Sequence, residues 1–348
     1  MKKTVLSIAL ALITLLFTGC SCSGAAVLSF DGLWGGKNDG YKETLLYSVE
    51  YKADYSEFSY SFVKSSDLSG VSIEITGTYT VENEILSTQS PDIPETVKNF
   101  ETFSTEMTSV VKSTAKLELT ASYTLGDDTK TSEDRIYSIS YFYNDDAAFA
   151  PVYTEREFDY QYPYIINGEI KLSLIEGKDI TEYFSKDKYK ITKEYRNAKD
   201  AEYEKQENEY EYNYRGVIDN SALLLATRNK TIEKDASYTI PVVHPSYGQV
   251  SNLSLKHFED TEKRITFDYN GEEKTVNFNL KAMNFVVYPT NSGCDTSSGT
   301  PQLVFVQNGE IDGINKSLMV EYVAPLVEYS GFNKIGALAY TLKSATYA

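Results

Sequence analysis

The sequence predicts a mainly β protein: one large, curved, antiparallel sheet of long strands and hairpins, half-barrel-like, with few short helices. Three observations carry this prediction. Tyrosine is abundant, at 29 residues beside 16 phenylalanines, and its apolar ring and polar tip suit half-exposed sheet. Apolar and polar residues alternate along most of the chain beyond residue 42, the period of a strand with one buried face. Asn-Gly pairs at 167–168 and 270–271 lie between alternating runs, and that dipeptide is the strongest short hairpin signal. Hydrophobic residues make up 41% and charged residues 24%, a balance that supports a packed core and argues against wholesale disorder.

Regular alternation begins at Leu45. Tyr47, Val49, Tyr51, Ala53 and Tyr55 share one parity, and past Glu57 the phase changes to Phe58, Tyr60 and Phe62, as a bulge or bend would produce. Val71, Ile73, Ile75, Tyr79 and Val81 continue the pattern, with Gly70 and Gly77 at turn or bend positions. Between 91 and 113 the rhythm breaks. Val97, Phe100, Phe103, Met107, Val110 and Val111 fall near a helical period after Pro94. The β-branched residues there fit a strand equally, so helix and strand both stay open for 94–113.

STAKLELTASYTL and RIYSISYFYN read as a hairpin joined by GDDTKTSED as its turn. Residues 145–168 read as short strands among Asp, Pro and Tyr, 176–188 as a polar loop. The most charged stretch, 189–215, reads as a solvated helix over AKDAEYEKQENEYEY and then a strand alternating Tyr210, Tyr212 and Tyr214. VIDNSALLLATRN reads as one or two helical turns capped by Asn220 or Ser221. Further strands follow at SYTIPVV, NLSLKHF, RITFDY, TVNFNLKAMNFVVY, LVFVQ, SLMVEYVAPLVEY and GALAYTLKSA, with a Gly/Ser/Thr loop at 290–301.

Ahead of the sheet stands MKKTVLSIALALITLLFTGC. Lys2 and Lys3 precede an apolar run from Thr4 to Phe17, of signal-peptide length and too short for a comfortable transmembrane helix. Phe17-Thr18-Gly19-Cys20 resembles the lipobox of bacterial lipoproteins. That resemblance implies cleavage before Cys20 and a lipid on its thiol, and two or more acyl chains hold a protein firmly on a membrane. The expected organisation is a signal peptide over 1–19, a Ser/Gly-rich tether over 20–41, and a single β-rich domain over 42–348, with 190–210 as the best candidate for an insertion. The body then lies outside the cytoplasm, on the cell membrane or, since Ser21 does not resemble an inner-membrane retention signal, on the outer membrane of a two-membrane cell.

Formal net charge is −17. It argues against nucleic acid as a partner and against electrostatic docking on anionic lipid. With Cys20 lipidated, Cys22 and Cys294 remain. A disulfide between them is open in an oxidising compartment, while the flexible leader around Cys22 favours two unpaired thiols. Two histidines and no CxxC pair give no metal site, and no P-loop, GxGxxG or GxSxG motif points to a cofactor or a catalytic nucleophile. His244, before a proline, and His257, at an expected strand end, read as exposed or capping residues rather than general bases. The expectation is a non-enzymatic protein.

The order of features resembles the LolA/LppX-like group of bacterial envelope proteins. It runs through an early KETLLYSVEY strand, a central DNSALLLATRN segment, a short TIPVV strand, hairpin strands around FDYNGEEKTVNF, and a closing PLVEYSGFNKIGALAYTL pair. The resemblance implies a strongly curved sheet closed on its concave side by short helices, with a lipid or acyl chain as ligand, and it transfers no functional residue. The alternative reading is a surface module that binds glycan or a protein partner through its tyrosine-rich faces, Tyr210, Tyr212 and Tyr214 foremost.

Overall fold

The computed structural model describes residues 40–53, 68–101, 103, 108–145, 148–185, 187–211, 218–228, 233–245, 250–289, 302–309, 311–314, 317–327 and 334–348. The signal and nearly all of the tether, Cys20, Cys22, Cys294, the phase change past Glu57, Tyr212, Tyr214 and the loop at 290–301 lie outside the described residues. Alternation becomes strand almost throughout. The first half holds β1 (Lys42–Lys52), β2 (Ser72–Ser87), β3 (Ser109–Leu125), β4 (Asp128–Asp145), β5 (Ala148–Ile166), β6 (Glu169–Tyr183), β7 (Lys188–Arg196) and β8 (Glu204–Glu211). The second half holds β9 (Ile218–Asp219), β10 (Ser237–Val243), β11 (Val250–Tyr269), β12 (Glu272–Pro289), β13 (Gln302–Gln307), β14 (Met319–Val327) and β15 (Lys334–Tyr347).

All of these strands join one sheet, ordered β8-β7-β6-β5-β4-β3-β2-β1-β15-β14-β13-β12-β11-β10-β9. Neighbours are antiparallel except β9 against β10. The sheet thus consists of two meanders joined where β1 pairs β15. A second, parallel contact between β11 and β15, at Asp268–Ser344 and Tyr269–Ala345, closes β11 to β15 into a five-stranded ring. The Asn270-Gly271 turn pins that closure. Asn270 and Gly271 adopt φ of 54° and 85°, as a primed hairpin turn requires. The Asn270 N–H donates to Ala345 O at 3.0 Å, and its side-chain oxygen accepts from the Tyr347 N–H at 2.8 Å. Asn167-Gly168 makes the same turn between β5 and β6.

Two glycines mark where long strands pass too closely for a side chain. A Cβ on Gly77 would collide with Glu118 O, and one on Gly177 with Glu194 O. The strands bend there. Inward residues build the main core: Leu45, Tyr47 and Val49 of β1, Ile73 and Ile75 of β2, and Phe278, Leu280 and Phe285 of β12 among them. A smaller cluster, around Val97, Phe100, Tyr141, Tyr183 and Tyr189, packs under one end of the first meander.

Several expectations are corrected. The 94–113 stretch forms one four-residue helix, α1 (Glu95–Lys98), and β3 has begun by Ser109. Val97, Phe100 and Phe103 bury themselves through a helical turn and the bends after it, and the β-branched Val110 and Val111 go to the strand. The turn expected over 126–134 is only Gly126-Asp127, because Leu125 pairs Asp128 and the polar residues beyond continue the ladder to β3, with Thr129, Thr131 and Glu133 exposed and Ser132 buried. The short strands expected over 145–168 are one strand, β5, with Pro151 placed at a bulge opposite Tyr141–Phe142, where a missing N–H is tolerated. The 176–188 loop shrinks, since β6 continues to Tyr183 with Asp179, Thr181 and Tyr183 buried on one parity. The solvated helix expected over 198–212 is, over Glu204–Glu211, instead edge strand β8, paired with β7. Its exposed acidic face is the usual protection for an open edge. Residues 252–267, read as two strands, belong to the single strand β11. The tether ends before Tyr41, which is buried beside a Gly40 N–H to Ile85 O bond of 2.9 Å.

Candidate functional site

The inward rows of the first meander change character along the strands. One row runs Gly77, Leu119 across β2 and β3, and the next Tyr79, Leu117, Ile136, Phe158 across β2 to β5. Apart from Gly77, these are large and apolar. The two rows beyond are Val81, Ala115, Ser138, Arg156, Asp179 and then Asn83, Ser113, Ser140, Thr154, Thr181. Small and polar side chains there leave room on the inner face that Leu or Phe would fill. The segment after β9 occupies part of that room, and cavities occupy the rest.

That segment is a 3-10 turn (Asn220–Ala222) running into a helix, α2 (Leu223–Thr227). Short helical turns were expected here, and the Asp219 carboxylate caps their start, with Ser221 on the donating side of its bonds. The Asp219 carboxylate accepts the Ser221 N–H at 2.9 Å and the Ser221 hydroxyl at 2.8 Å. Its other oxygen accepts the Tyr183 hydroxyl at 2.5 Å, and burial raises its pKa. At the far end Arg228, 3% exposed, meets Glu43 of β1, 0% exposed. The guanidinium donates twice to the carboxylate, at 2.7 and 2.8 Å, and its Nε donates to Ser317 O at 2.7 Å. Asn83 adds a bond to Glu43 at 2.9 Å. Burial alone would lower the Arg228 pKa, but the Glu43 carboxylate outweighs it and holds the guanidinium charged. Residues 219–228 therefore touch β1, β5 and β6 and the start of the β14 arm, and the sheet wraps round them.

Two cavities are lined by the sheet, and the polar one also by Asp219, Ser221, Leu223 and Leu224 of this segment. The apolar one is about 310 Å³, lined by Leu68, Leu117, Leu119, Ile136, Tyr160, Leu326, Ile335 and Leu338 among others. Asp134 sits in its wall, accepts the Gln161 N–H at 3.0 Å, and has its carboxyl pKa raised by burial. The polar one is about 350 Å³ and draws on both meanders, with Arg156, Asp179, Thr181, Asp219 and His244 facing Phe285, Gln302, Tyr322 and Tyr340. Ile136 and Tyr340 line both cavities. Arg156 is ion-paired with the buried Asp179. Burial first, and then the Arg156 and Lys193 charges, press the His244 pKa down to about 4, so its ring is neutral at physiological pH. Tyr322 donates to Gln302, and its ring lies 4.8 Å from that of Tyr340. Thr181 Oγ1 and Arg156 Nε are buried with no hydrogen-bond partner among the described residues.

The residues singled out from sequence fare unevenly. Tyr210 is not on an open platform. Its ring stacks on Tyr189 at 5.2 Å, against the smaller core cluster. The open tyrosines among the described residues are Tyr137, Tyr164 and Tyr203, 41%, 41% and 48% exposed, and Tyr137 and Tyr203 lie beside a shallow groove of about 530 Å³. Charges along that groove pair with one another, as Arg196 and Tyr203 both do with Glu176. His257 was expected exposed at a strand end. It is 3% exposed inside β11, at a bulge, with Nε2 3.0 Å from both Glu259 O and an Asp260 carboxylate oxygen. His244, also expected exposed or capping, is half-buried in the polar cavity. Sequence reading missed Arg156, Asp179 and Thr181. The available signal was the run of small residues, Ser113, Ala115, Ser138 and Ser140, on the inward parity of adjacent strands.

Among the described residues no cluster of three His, Cys, Asp or Glu side chains could hold a metal ion, and no helix is long and apolar enough to cross a membrane. Comparison with protein-family models, with curated proteins and with solved structures gave no match.

Proposed function

We propose that this is a lipid-anchored, non-enzymatic protein of the bacterial cell envelope that binds a hydrophobic or lipidic ligand on the concave side of its sheet. The observation that carries the reading is the apolar cavity of about 310 Å³, at the lower end of the size range of small-molecule sites. A well-packed interior leaves few voids larger than a water molecule, so a space of this size walled by leucine, isoleucine and tyrosine side chains is suited to an occupant. The lipobox-like Cys20 supplies the anchor in this reading.

The purified full chain should therefore enhance the fluorescence of N-phenyl-1-naphthylamine, a neutral hydrophobic probe, in a saturable way. Leu119→Trp, which puts an indole into the cavity, should abolish the enhancement. Saturable binding that survives Leu119→Trp would place the probe elsewhere and refute the assignment. The anchor is tested separately. Cys20→Ser should stop incorporation of radiolabelled palmitate and move the protein from the membrane fraction to the soluble one. Unchanged labelling would exclude Cys20 as the modified residue.

A further inference from the structure

We propose that the polar cavity is the head compartment of the same site, and that it takes the uncharged, hydroxyl-bearing head of an amphipathic molecule whose hydrocarbon part fills the apolar cavity. The inference rests on the apolar cavity being a ligand site and adds the chemistry of the head group. Four observations carry it.

The first is adjacency. Ile136 and Tyr340 wall both spaces, so the two cavities adjoin at these side chains. The second is charge. The Arg156 guanidinium and the Asp179 carboxylate neutralise each other. Asp219 is held by Tyr183 and Ser221, and the His244 ring is neutral. Among the described residues a charged head would meet no free counter-ion there and would bear the desolvation cost alone.

The third is unused hydrogen-bonding capacity. Thr181 is 1% exposed, and its hydroxyl has no partner among the described residues. Arg156 Nε has none either. Buried polar groups in native proteins are nearly always satisfied. Hydroxyls both donate and accept, and so match other hydroxyls. The fourth is the opposite wall. Phe285 and Tyr322 stack on each other, 13° apart with centroids 6.3 Å away, and both border the cavity as apolar ring surface. Together these point to a sugar-like or polyol head rather than a phosphate, sulfate or ammonium group.

The test displaces N-phenyl-1-naphthylamine from the full chain with four amphiphiles of equal chain length, kept below micelle formation: decyl glucoside, decanol, decyl sulfate and decyltrimethylammonium. The glucoside should displace at a concentration at least tenfold below decanol, about 1.4 kcal/mol, and below both charged amphiphiles. Thr181→Val should shrink the glucoside–decanol gap to under threefold, with its thermal unfolding checked in parallel. Equal potency of glucoside and decanol in the wild type would overturn the head compartment, leave that space to water, and let the apolar site stand. Tighter binding of either charged amphiphile would also overturn it. Failure of the probe to bind at all removes the apolar site and this inference with it.

Discussion

Replacing Arg228 with methionine removes the guanidinium and keeps a straight, flexible side chain. Glu43 is then left 0% exposed without its counter-ion, with the Asn83 amide still bonded to it. An exposed ion pair would cost about 0–1 kcal/mol to break. Removing one side of a buried pair costs about 3–5 kcal/mol, a large share of the 5–15 kcal/mol that typically separates folded from unfolded protein. The Glu43–Arg228 geometry belongs to the second class, with two short bonds between side chains 185 residues apart. With a urea m-value of about 3 kcal/mol/M for a chain of this size, the midpoint of Arg228→Met should fall by about 1–1.5 M. Glu43→Gln should also destabilise. The double variant should lose less than the sum of the two, by about 1–3 kcal/mol, because each single change strands the other partner. Equilibrium urea unfolding followed by circular dichroism measures all four proteins. A midpoint shift under about 0.3 M for Arg228→Met, or additivity within about 0.5 kcal/mol, would refute the claim that this pair seats residues 219–228 inside the sheet.

Two further outcomes follow from the same geometry. Asp134 has its pKa raised above the ordinary value of 3.8 by burial. A raised carboxyl binds its proton more tightly in the folded state, so stability is lost as pH climbs from 3.8 through the raised value and stays lost above it. Asp134→Asn keeps an acceptor for the Gln161 N–H and removes that cost. Its melting temperature should exceed wild type at pH 7 and match it near pH 3, and an equal difference at both would contradict the burial argument. Gly77→Ala should destabilise by about 1–3 kcal/mol, since the new methyl meets backbone of β3 rather than a movable side chain. An unchanged denaturation midpoint would show that β2 and β3 can separate there at no cost.

Much of the sheet was readable because alternation reports a face directly. Leu45, Tyr47 and Val49 of β1 and Ile73 and Ile75 of β2 share the inward parity their spacing predicts. Where the pattern is polar on both faces the reading failed, as in Asp128–Ser132 and Glu204–Glu211. In those places ladder hydrogen bonds decide the conformation, and side-chain hydrophobicity says nothing. Both Asn-Gly turns were legible because few residues tolerate their positive φ. The site was mostly hidden. Arg156, Asp179 and Thr181 are ordinary polar positions on alternating strands, and they converge with Tyr322 and Tyr340 only through sheet curvature that no local pattern encodes. Glu43, 185 residues from Arg228, looks in the sequence like any surface carboxylate.

The pairing of β1 with β15 bears on how the chain must be handled while it is being made. Residues near 45 find one of their two neighbours only when residues near 340 arrive, so the middle of the sheet is the last seam to be sewn. Until then β1 is a raw hem of unbonded backbone beside a largely finished first meander, and closures between such distant parts are slow and prone to sticking to other chains.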